Sequence, residues 1–107
     1  MSLSQDRMEK ALRFLAETDE GCAELRAEME RAEFRAKATK EAIFKRLAGG
    51  VAERQAEAAS SDEYAQAMEA YFVQLKGFES IRNKRSTEMV VIDVWRTLES
   101  SRRKGNV

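Results

Sequence analysis

Not one proline occurs in the 107 residues of this chain. Proline ends helices most reliably, because it lacks the amide N–H and its ring clashes with the preceding turn. Helices in this chain can therefore end only where glycine, a capping side chain or local polarity ends them. The residues that dominate it are Ala, Glu, Arg, Lys, Leu and Met, all strong helix formers. Charged residues make up 36% and aromatics only 7%, a balance that suits long helices with much wet surface rather than a thick core.

Three places can stop a helix. Gly49-Gly50 is the strongest, since two glycines cost about 2 kcal/mol in a helix interior and supply the left-handed conformation that ends helices. At Ala59-Ser60-Ser61-Asp62, Ser60 with Glu63 spells an S-x-x-E capping box, and Asp62 and Glu63 add favourable negative charge at a helix start. A softer break lies at Glu17-Thr18-Asp19-Glu20-Gly21, where Thr18 or Asp19 can cap a new helix. The expected elements are a short helix over 4–17, a long one over 19–48, a short one over 51–58 and a very long one over 61–102, in one domain spanning 1–107.

Apolar spacing supports this division. Cys22, Leu25, Met29, Ala32, Ala36, Thr39, Ile43 and Leu47 follow a near-heptad seam. The last segment has its own: Tyr64, Met68, Tyr71, Leu75, Phe78, Ile81 or Arg82, Arg85, Met89, Ile92, then Trp95 or Arg96. It weakens across the polar run 81–86, with Gly77 and the β-branched residues at 90–92 as soft points. Two long helices joined by a short connector fold back on each other. The sequence thus predicts an all-α fold, a long antiparallel, coiled-coil-like helical hairpin with short flanking helices, completed by oligomerisation. Two helices bury too little for a stable monomer, and Phe72, Val91, Val94 and Trp95 are candidates for the oligomer interface.

Little chemistry is on offer. The chain has no histidine and one cysteine, Cys22, which excludes an internal disulfide and leaves no thiol–imidazole pair. Cys22 reads as a packing residue on its seam, although a place in a first helical turn would lower its pKa. No phosphate-loop or calcium-loop spacing is present, so no enzyme, cofactor or metal site is expected. No signal peptide or membrane span is legible, and a soluble cytoplasmic protein is expected.

Charge is the one feature with functional leverage. The formal net charge is zero, yet residues 1–75 carry 11 basic and 15 acidic side chains, and residues 76–107 carry 8 and 4. Arg82, Lys84, Arg85, Arg96, Arg102, Arg103 and Lys104 are therefore candidate nucleic-acid contacts. Against that, arginine at a helix C-terminus also complements the macrodipole, and charge runs are commonly solvated faces. The leading expectation is a self-associating module that binds another protein, with nucleic-acid binding as the alternative.

The stretches Phe78-Glu79-Ser80-Ile81-Arg82-Asn83-Lys84-Arg85, Val94-Trp95-Arg96-Thr97-Leu98 and Arg102-Arg103-Lys104-Gly105-Asn106 resemble a group of small tailed-bacteriophage and prophage proteins. That group reads Y-E-x-L-R-N-K-R, V-W-R-x-L and R-R-K-G near its C-terminus, and Phe78 here replaces the tyrosine. Ala16-Glu17-Thr18-Asp19-Glu20 and Val51-Ala52-Glu53-Arg54 are similar too, so the likeness spans most of the chain. The resemblance implies an accessory role in phage recombination or replication, in the host cytoplasm. It implies no activity.

Overall fold

A computed structural model describes residues 3–105. Three helices occupy them, α1 (Gln5–Arg46), α2 (Val51–Ala59) and α3 (Asp62–Gly105), and no strand occurs among the described residues. The chain is an all-α helical hairpin, as its residue pattern predicts. Its contacts fall into two compact units, Met1–Ala23 with Glu79–Val107, and Glu24–Phe78.

The break expected at residues 17–21 does not exist, and α1 is one helix of 42 residues. The physical reason is phase. Ala11, Leu15, Thr18, Cys22, Leu25, Met29, Ala32, Ala36, Thr39 and Ile43 keep alternating spacings of 4 and 3, and all are buried or half-buried. A helix that restarted at Thr18 would have to reset this stripe. The Thr18 hydroxyl instead donates back to the Phe14 carbonyl at 2.6 Å, the in-helix habit of threonine. The real cap is Ser4, whose Oγ accepts the Arg7 amide at 3.1 Å.

The α1–α2 junction is where the glycine pair predicts it. Gly49 has φ +113° and Gly50 is the extended N-cap of α2, so the left-handed residue belongs to Gly49. The second junction is shifted by one residue from expectation. Ser61, not Ser60, caps α3, accepting the Tyr64 amide at 3.2 Å. Ser60 closes α2, its own amide bonded to the Ala56 carbonyl at 3.1 Å and its hydroxyl donating to the same oxygen. The box residue Glu63 is engaged with Arg46 instead.

In the first unit the N-terminal part of α1 packs antiparallel on the C-terminal part of α3, with Ala11 and Ile92 buried. In the second unit the rest of α1, α2 and the start of α3 bury Ala32, Ala36, Ile43, Ala58 and Phe78. Four of these seven residues are alanines, which let helices approach closely but bury one methyl each. No large side chain is fully buried among the described residues, so hydrophobic burial contributes modestly, at about 1.5–3 kcal/mol each for Ile43, Phe78 and Ile92.

Candidate interaction surface

The inner face of α3 carries Phe78, Ile81, Arg85, Glu88, Ile92, Trp95 and Glu99 at spacings of 3 and 4, all buried or half-buried. Two of these differ from the apolar reading. Met89, expected on the seam, is 47% exposed, and Glu88 takes its place. The side chain of Glu88 is 19% exposed because Arg7 of α1 covers it. Arg7 Nη2 donates to Oε1 at 2.9 Å and lies 2.7 Å from Oε2. Oε2 is itself buried and receives the charge attraction without a directed hydrogen bond.

Arg85 is the second. Its side chain is 17% exposed, and its guanidinium reaches across to α1. Nη1 donates to the Leu15 carbonyl at 2.7 Å and to Thr18 Oγ1 at 2.6 Å, while Nη2 donates to Asp19 at 3.3 Å. The polar interruption at 81–86 is thus bridged by a fork of donors that only arginine can supply. Arg85, also a nucleic-acid candidate from the sequence, is thus taken up in helix packing, with its guanidinium turned to α1.

The remaining basic candidates are on the outside. Arg82, Arg96 and Arg102 are exposed, and each meets an acid three residues before it, Glu79, Asp93 and Glu99. With Glu88 on Arg7, all four acidic residues after position 75 are paired. Lys84, Arg103 and Lys104 are exposed and form no ion pair among the described residues. Arg102, Arg103 and Lys104 occupy the last turn of α3, where positive charge complements the helix dipole.

Of the apolar candidates, Phe72 is 47% and Val94 46% exposed. Val91 and Trp95 are half-buried, because Trp95 continues the inner row of α3 three residues after Ile92. Phe34 and Val90, apolar positions off the two seams, are 73% and 59% exposed. Val73, Val51 and Leu98, which the seam spacing did not single out, are 66%, 57% and 46% exposed. Val90, Val94 and Leu98 line one shallow groove with Asp93 and Thr97, and Phe34 lies in another with Ala27 and Arg31. The spacing of Val90, Val94 and Leu98, four residues apart, was the available signal.

In the second unit, a cleft between α1, α2 and the start of α3 is lined by Lys37, Lys40, Phe44, Gln55 and Tyr64. The Arg54 guanidinium lies 4.4 Å from the Phe44 ring centre and Lys40 Nζ 5.4 Å from that of Tyr64. These are cation–π contacts that fasten α2 and α3 to α1. Beside the cleft, the hydrogen bond and charge of Glu33 raise the Lys37 ammonium above its ordinary pKa. Cys22 is a half-buried free thiol in the middle of α1, not in the first turn of a helix as a break at residues 17–21 would have placed it. Among the described residues no acidic or cysteine cluster is placed to hold a metal ion, and no helix is long and apolar enough to cross a membrane.

The chain matches no protein-family model, no curated protein and no solved structure.

Proposed function

We propose that this chain is a non-enzymatic, self-associating helical module that presents a surface to another protein. One observation carries the proposal. The largest apolar side chains are divided between helix packing and solvent, with Phe34, Val73 and Val90 each more than half exposed and no large side chain fully buried. Monomeric proteins seldom leave so much of a small core open. The pairing of Arg82, Arg96 and Arg102 with neighbouring acids favours a protein partner over a polyanion, since each basic side chain already has a counter-charge. With no histidine and one cysteine, the residues suit packing rather than catalysis. Light scattering at micromolar concentration tests the proposal. It expects at least twice the 12.2 kDa chain mass, and a monomeric mass with a cooperative melt removes it.

A second reading rests on Lys84, Arg103 and Lys104, which are exposed without an ion-pair partner among the described residues. On this reading, and on the resemblance to phage proteins, the C-terminal third touches nucleic acid through phosphate contacts with little sequence preference. A mobility-shift titration at low salt decides it. A complex that weakens steeply with salt supports it, and no shift at about 10 µM protein discards it.

A further inference from the structure

The inner row of α3 has a counterpart two residues along the chain. Asn83, Thr87, Val90, Val94, Thr97 and Ser101 repeat at spacings of 4, 3, 4, 3 and 4, and every one is exposed. Two residues turn a helix by about 200°, so this second row lies opposite the buried one. It contains no charged side chain, in a chain of which 36% is charged. Its threonines have already satisfied their hydroxyls. Thr87 donates to the Asn83 carbonyl at 3.1 Å and Thr97 to the Asp93 carbonyl at 3.0 Å. Covering this face therefore strips water from few polar groups that lack a partner.

We infer that this outer row of α3 is the seam along which two copies of the chain associate, antiparallel, about an axis midway between Val90 and Val94. The inference rests on the self-association proposed above and names its surface and direction. The order of residues along the row favours a second copy, because Asn83, Thr87 and Val90 are answered in reverse by Ser101, Thr97 and Val94 about one midpoint. A net charge of zero removes long-range repulsion between copies. The antiparallel direction follows from matching. It sets Val90 against Val94 of the second copy, Thr87 against Thr97 and Asn83 against Ser101, so that like faces like in every layer. A parallel pair would instead bring the two Arg102-Arg103-Lys104 clusters together. Near the axis, Asp93 and Arg96, 3.7 Å apart within one chain, can exchange partners across the pair.

The test uses the full chain. Val94→Glu puts two carboxylates beside the axis while leaving the buried row intact, and it is expected to weaken the dimer at least about 100-fold with an unchanged helical spectrum. Phe34→Glu, in the other unit, is expected to leave the dimer constant unchanged. In a Cys22→Ala background, mild oxidation of Thr87→Cys chains mixed with Thr97→Cys chains should cross-link well, and either alone poorly. A dimer that survives Val94→Glu, or is lost with Phe34→Glu, overturns this face while keeping self-association. Efficient cross-linking of either variant alone overturns the antiparallel direction. A monomer at every concentration overturns both this inference and the proposal beneath it.

Discussion

Arg85 of α3 donates a 2.7 Å hydrogen bond to the main-chain carbonyl of Leu15 in α1. A side chain 70 positions away, at the weakest point of the apolar seam, thus fastens the first unit. Removing it strands buried polar surface and leaves a gap where the aliphatic stem packed. Arg85→Ala should lower stability by about 1–3 kcal/mol, a fall in Tm of several degrees for a chain of this size. Arg85→Lys should recover little of it, because an ammonium cannot reproduce the fork. Thermal melts by circular dichroism check this. Loss of nucleic-acid binding with an unchanged melt would return Arg85 to the outer surface.

Arg7 and Glu88 should be coupled. A double-mutant cycle with Arg7→Ala and Glu88→Ala should give an interaction of about 0.5–1 kcal/mol, given that Arg7 is partly exposed. Raised salt should shrink it. Strictly additive losses in urea unfolding would mean the pair contributes nothing.

Two glycines inside helices are open to improvement. An added Cβ meets nothing within 4 Å at Gly21 or Gly77, and both lie in helix interiors. Gly21→Ala and Gly77→Ala should each raise stability by up to about 1 kcal/mol. Gly49→Ala should do the reverse, because its φ is +113° and the new carbon would approach Glu53 Oε2 to 3.0 Å. Denaturant midpoints for the three variants separate the two outcomes.

The cap at the start of α3 is testable by register. Ser61→Ala should cost about 1 kcal/mol, the usual loss of a helix N-cap. Ser60→Ala, at the C-terminus of α2, should cost clearly less. Equal losses in urea unfolding would put the cap at both serines.

Local residue chemistry made part of this fold legible and hid the rest. Gly49-Gly50 announced its turn because the left-handed backbone belongs to glycine. The cap signals at Thr18 and Asp19 misled because the stripe from Ala11 to Ile43 continues through them, and a cap motif is weaker than ten positions of unbroken phase. Met89 looked like the seam residue on hydrophobicity alone. Glu88 holds that place because Arg7 stands opposite, and no local window reveals a partner 81 positions away. Arg85 showed the same ambiguity, being both on the seam and in a basic run, and only Leu15, Thr18 and Asp19 across from it decide the matter. The outer row of α3 was partly visible as Val94, but its uncharged polar members gave no hydrophobic signal.

Helices that need a second copy to complete them unfold with a midpoint that depends on protein concentration. A dimer that unfolds to separate chains is stabilised by mass action. Melts followed by circular dichroism from about 1 to 100 µM should show one cooperative transition whose Tm rises by several degrees. A transition at the same temperature throughout that range would show that one chain holds the fold alone and that no second copy completes it.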